Sequence, residues 1–281
     1  MTAVKRDYLF DNIKCLLIIL VVAGHIIENI DNSTVNYIYK IIYSFHMPAF
    51  IFVTGYFARF RPEKILRKIV LPYIVFQTLY ILFDYFVLHQ ADTLNLQYTK
   101  PYWIMWYLMA TLFYHMIIPF IEYDSNNKRI IVIVISVMIS LLAGYNNSIG
   151  YFLSVSRICV FMPFFILGYY ASKSDISAKI CQLKTPVKAA LIILSAIACF
   201  LGTLFVKQDI ITRNILYCSY GYEKTGSNPM IRLACMIIAL FWICLLTLII
   251  PKKKVTIISW VGSKTFWIYV LHGFIVRYFF G

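Results

Sequence analysis

Residues 12–30 read NIKCLLIILVVAGHIIENI. Nothing between Cys15 and Gly24 is charged, and the whole stretch matches the roughly 20 residues a helix needs to cross a bilayer core. Backbone groups in hydrocarbon find partners only within their own helix or in a closed barrel. The stretch does not alternate with the two-residue period of a barrel strand, so it reads as a transmembrane helix. Its polar residues sit toward its ends: Lys14 near the start, His25 eleven residues on, and Glu28 one turn later.

The pattern repeats along the chain. Of 281 residues 61% are apolar and 14% charged, and the mean hydropathy is +0.77. A soluble domain is nearer 45–50% apolar and about 25% charged, so a water-soluble fold is excluded. Apolar runs fall at about 12–30, 37–57, 69–88, 102–121, 130–143, 149–171, 187–206, 231–250 and 257–279, by the periodicity and run-length argument. The expected architecture is one all-α integral membrane domain over 1–281, a polytopic bundle of nine spans. A tenth is added if 207–230, with Ile210, Ile211, Ile215, Leu216 and Tyr217, enters the membrane.

The net charge of +14 would point to nucleic acid in a soluble protein; here topology accounts for it, and no nucleic-acid partner is expected. With the N-terminus cytoplasmic, 18 Lys and Arg fall on the inner side and 6 on the outer, with Lys40 and Arg157 inside spans. Positive charge collects on cytoplasmic loops, so the split predicts an N-in, C-out, multi-pass protein of the cell membrane. Lys5-Arg6 precede the first run as they would in a signal peptide, but no small-residue cleavage pattern follows; the run is read as an uncleaved helix. The seven cysteines form no CxxC and no Cys/His run, which argues against a disulfide framework or a zinc site.

Ionisable groups inside spans cost about 2.5–3.5 kcal/mol each for Asp, Lys or Arg, and are functional candidates by default. Here they are His25, Glu28, Lys40, His46, Asp84, His115, Arg157 and His272. At 1.5 Å per residue His25 lies about 20 Å along the first helix and His46 about 14 Å down the second, at comparable depths. Eleven steps of about 100° return to within about 20° of the starting direction, so Asp11, Lys14, His25 and Glu28 share one face. A cation at the cytoplasmic mouth and an imidazole deeper in suit an anionic cofactor whose reactive end reaches a buried base. Arg59, Arg61, Lys64, Arg67 and Lys68 are either a topology determinant or a clamp for the phosphates of coenzyme A. His115 reads as an interhelical hydrogen-bonding residue. Asp84 and Arg157 form either an ion pair between the third and sixth spans or a substrate-binding pair.

Several motifs resemble the type 3 membrane acyltransferase family, in particular its fucose 4-O-acetylase-like branch. They are Arg6-Asp7-Tyr8 with Asp11-Asn12-Ile13-Lys14 and Val22-Ala23-Gly24-His25, then Phe45-His46-Met47-Pro48-Ala49-Phe50 with Thr54-Gly55-Tyr56. Further along come Arg67-Lys68-Ile69-Val70-Leu71-Pro72-Tyr73, Trp106-Tyr107-Leu108, Pro163 to Tyr170 and Leu271-His272-Gly273-Phe274. The resemblance implies transfer of an acyl group, usually acetyl, from cytoplasmic acetyl-CoA to a hydroxyl of a cell-surface or lipid-linked glycan, without a metal, in a bacterial cytoplasmic membrane. The family's first helix has a basic residue, ten residues, then histidine. Here these are Lys14 and His25, and Lys14 stands where many members have an arginine, keeping the charge and losing the bidentate fork.

On this reading His25 is the general base and Glu28 or His46 fixes its tautomer. Lys14 with Arg59, Arg61, Lys64, Arg67 and Lys68 holds the cofactor, and Asp84, Trp106, Arg157 and His272 meet the substrate. Arg157, Tyr56 and Trp106 are candidate oxyanion donors, and an acyl-histidine intermediate fits the residues equally well. The rival class is a secondary transporter or flippase in which the membrane histidines and Asp84 relay protons. No inverted repeat supports it.

Overall fold

The computed structural model describes residues 8–122 and 125–280; Lys5-Arg6, Asp7 and the Cys181 side chain lie outside the described residues. Every regular element among the described residues is helical. The ten longest are α1 (Tyr8–Ile27), α2 (Ser33–Phe57), α3 (Pro62–Phe86), α4 (Trp106–Ile121), α5 (Asn126–Leu142), α6 (Val155–Lys173), α7 (Thr185–Lys207), α8 (Pro229–Ile249), α9 (Thr256–Ser263) and α10 (Thr265–Phe280). A π turn at Leu66–Val70 lies within α3. Helix starts are set locally. The side chain of Asn32 accepts from the Thr34 and Val35 amides, that of Ser125 from Lys128, and that of Asn228 from Ile231 with Pro229 behind it, each satisfying a donor the first turn leaves open.

Seven helices, α1 and α3 to α8, are long and apolar enough to cross a membrane, counting the short 3₁₀ turns that extend α4, α5 and α6. The expectation was nine. Helix α2 has 25 residues but is less apolar, with Tyr39, Lys40, Tyr43, Ser44 and His46 in its first half. The last expected span, 257–279, is instead two helices broken at Lys264, the second only 16 residues long. The segment after α7 makes no long helix; it folds into short turns at Arg213–Tyr217 and Tyr222–Thr225.

Lipid is as apolar as leucine, so close packing rather than apolar burial selects helix partners in a membrane. The most extensively packed pair is α2 with α6. A Cβ on Gly55 would stand 2.1 Å from the Phe165 carbonyl oxygen, and one on Gly168 2.0 Å from that of Phe52. The two glycines let the backbones touch, which is why Thr54-Gly55-Tyr56 and the Gly168 motif stand where they do. Helix α1 is tied to α9 by Asn12, whose Nδ2 donates to the Pro251 carbonyl at 2.8 Å while its Oδ1 accepts from Ser259 Oγ at 2.7 Å. The motif residue Asn12 is thus structural. Outward faces of α5 and α7 leave Ile130, Ile131, Val134, Ile193 and Phe200 exposed, as lipid contact requires.

Candidate active site

His25 occupies the last turn of α1. Its Nδ1 is 3.2 Å from Glu28 Oε2 and 3.2 Å from the Tyr43 hydroxyl on α2. An ionised carboxylate only accepts, so with Glu28 charged the proton sits on Nδ1 and the lone pair on Nε2. Of the two partners expected for His25, Glu28 is the one that reaches Nδ1. The His25 ring stacks on His272 of α10, centroids 5.5 Å apart, and meets Trp103 edge-on at 4.5 Å. Trp103 lies in the turn before α4 with φ 29°, a left-handed value that costs a non-glycine residue energy and recurs at functional sites.

A cavity of about 40 Å³ is lined by His25, Tyr43, His46, Met47, Trp103, Trp106, Arg157 and Tyr217, among others. That is room for about three waters. His46 is buried and its Nδ1 lies 2.8 Å from the Ile42 carbonyl. His272 is likewise buried, with Nδ1 2.6 Å from the Tyr269 carbonyl and no described partner for Nε2. Carbonyls accept only, so both rings carry the proton on Nδ1 and present Nε2 as an acceptor. Leaving a buried acceptor unpaired costs about 1–3 kcal/mol.

Arg157 supplies the positive charge of the site. Its Nε donates to the Tyr217 carbonyl at 3.0 Å, and its guanidinium lies 4.3 Å from the Tyr217 ring and 5.0 Å from the Trp106 ring. The expected pairing of Arg157 with Asp84 does not form. Asp84 accepts from Tyr102 at 2.9 Å and from Arg277 at 3.2 Å, because α10 rather than α6 packs beside α3. Tyr56 packs on Phe10 with centroids 4.0 Å apart and does not line the cavity.

The basic residues sit toward the other end of α1. Lys14 pairs with Asp11 at 2.9 Å and lies over the Phe57 ring. Arg59 donates to the Ala58 carbonyl and to Ser172. Arg61, Lys64, Arg67 and Lys68 are exposed on α3 or just before it. Lys40 binds the Val206 carbonyl and Asp209, and His115 Nδ1 meets the Thr111 carbonyl; neither lines the histidine cavity.

Sequence reasoning missed Tyr43, Trp103 and Tyr217. Tyr43 precedes His46 by three residues and so shares its helix face, a signal that was present. Trp103 and Tyr217 lie in irregular turns, where periodicity says nothing. Beyond the cap formed by Arg213–Tyr217 a polar cavity of about 510 Å³ opens, lined by Glu28, Asp31, Asn32, Asn36, Asp209 and Arg213 among others. Arg213 locks the cap down through the Glu28 carbonyl at 2.7 Å and Asn36 Oδ1 at 2.6 Å. Glu28 faces both His25 and this cavity.

Over 59 residues the chain is 46% identical to the nodulation protein NolL of Sinorhizobium fredii (strain NBRC 101917 / NGR234). The match covers 19% of this chain and 16% of that protein, so the chain spans only a small part of the relative's length. No solved structure matches. The family model described as an acyltransferase domain matches residues 7–281. With nearly the whole chain matched, this multi-pass membrane protein belongs to the type 3 acyltransferase family.

Proposed function

We propose that the protein moves an acetyl group from cytoplasmic acetyl-CoA to a hydroxyl of a cell-surface or lipid-linked glycan, with His25 as general base, in a bacterial cytoplasmic membrane. The observation that carries this is His25 itself: Nδ1 held by a carboxylate, and a ring lining a cavity shared with a buried arginine. A base oriented by a carboxylate is the arrangement used to activate hydroxyl nucleophiles.

In this mechanism Nε2 takes the proton of the acceptor hydroxyl as its oxygen attacks the thioester carbonyl. Arg157 faces the oxyanion of the tetrahedral intermediate; a preorganised donor there contributes about 10²–10³ in rate. The C–S bond then breaks, the imidazolium gives its proton to the departing thiolate, and the products are the O-acetyl sugar and free coenzyme A. His46 and His272, each with a bare Nε2, accept from the sugar's remaining hydroxyls, and Trp106 keeps Arg157 in place. The polar cavity beyond the cap is the acceptor's approach, on the outer side. Arg59, Arg61, Lys64, Arg67 and Lys68 with Lys14 meet the donor's phosphates on the cytoplasmic side.

The test is free-thiol release from acetyl-CoA by the protein in nanodiscs supplied with acceptor membranes, together with mass spectrometry of the glycan for the added acetyl mass. His25→Gln should lower transfer about 10³-fold, within the range general base catalysis supplies. Transfer that persists in an inserted, folded His25→Gln protein overturns the assignment. A transporter would release no thiol.

A further inference from the structure

A second cavity lies one helical turn from the histidine site, toward the Lys14 end of α1. It holds about 120 Å³ and is lined by Val21, Met47, Phe50, Tyr107, Phe266 and Tyr269, with Thr265 at its edge. The register is regular across four chain segments. Val21 precedes His25 by four residues, Phe50 follows His46 by four, Tyr107 follows Trp103 by four, and Tyr269 precedes His272 by three. Helical periodicity therefore stacks an apolar ring directly beneath the polar one. Met47 is the one residue lining both cavities.

We propose that this cavity is a pocket for a linear alkyl chain, closed off by Met47, and that Met47 confines the transferred group to acetyl size. The inference rests on the acyl-transfer reading above. Three observations converge on it. The chamber at His25, of about 40 Å³, takes a group of only a few heavy atoms. The pocket behind Met47 is about three times larger and apolar, suited to methylenes and ill suited to the amides of the donor's arm, which would lose their hydrogen bonds there. Behind Phe161 and Leu216 the neighbouring void holds only about 30 Å³, and the large cavity beyond the cap is polar, so a longer alkyl chain has apolar room in one direction. Methionine is unbranched and flexible, so truncating it joins the two spaces.

The experiment compares wild type with Met47→Ala and the milder Met47→Val, each in nanodiscs, using acetyl-, butyryl-, hexanoyl- and octanoyl-CoA. Readouts are thiol release and the mass added to the acceptor. Wild type should prefer acetyl to hexanoyl at least about tenfold; Met47→Ala should reduce that ratio about tenfold or invert it, with Met47→Val between. A wild type that uses hexanoyl as well as acetyl overturns the proposal. So do folded variants of both kinds that keep the wild-type order, or that change only KM for the donor, which would assign the cavity to the donor's arm. If Met47→Ala does not fold, Met47→Val decides. A wild type that releases thiol from none of the four overturns the acyl-transfer reading itself, and this inference with it.

Discussion

The two ends of α1 are built in opposite ways. At the His25 end, side chains from α1, α2, α6, α10, the turn before α4 and the cap at Arg213–Tyr217 converge, and most polar atoms have a fixed partner: Glu28 and Tyr43 on His25, Ile42 on His46, Tyr217 on Arg157. At the Lys14 end much of the charge is on exposed side chains, Arg61, Lys64, Arg67 and Lys68 among them, while Lys14 pairs with Asp11 and Arg59 with Ser172. Chemistry needs groups held within fractions of an ångström, whereas recognition of a multiply charged anion needs only charge near it. On the proposed function, reaction belongs to the first end and docking of the donor to the second.

Three variants can break or sharpen this contrast. Arg157→Ala should produce the largest effect, a fall in kcat of about 10²-fold with little change in KM, as for loss of one oxyanion donor; thiol-release kinetics check it, and a change confined to KM would move Arg157 to substrate binding. The double change Arg67→Ala with Lys68→Ala should raise KM for acetyl-CoA about threefold to tenfold and leave kcat alone. Added salt should shrink that difference, because exposed charges are screened over about 8–10 Å at ordinary ionic strength. Asp84→Asn should be smallest, less than about twofold in rate, since its partners are Tyr102 and Arg277 and it lines neither cavity. Its cost should appear as a lowered melting temperature in detergent, reflecting the roughly 1.5–3 kcal/mol of a hydrogen bond to a charged group. A large loss of rate from Asp84→Asn would return it to the substrate.

The sequence made several of these features legible. The apolar runs fall on the long helices, because hydrocarbon permits no other backbone arrangement, though α3 starts at Pro62, seven residues before the run that marks it, and the last run is two helices. It placed Lys14, His25 and Glu28 on one face, because 3.6-residue periodicity is a property of one helix alone. It brought His25 and His46 to one level, and both line the same cavity. Its errors came where two helices must be compared. Arg277, near the chain's end, took the partnership with Asp84 that the ordering of spans had offered to Arg157.

What the residues determined unaided was therefore the membrane class, the helical segments and the polar positions within each. Tertiary structure decided which helices touch, through the close approach at Gly55 and Gly168; that the last apolar run breaks at Lys264; and that Arg213–Tyr217 caps the site. It also decided which nitrogen of His25 is available, by setting Glu28 and Tyr43 against the other. The physical reason is that lipid treats all apolar faces alike. Helix pairing in a membrane then rests on shape and on a few buried hydrogen bonds, which depend on residues far apart in the chain.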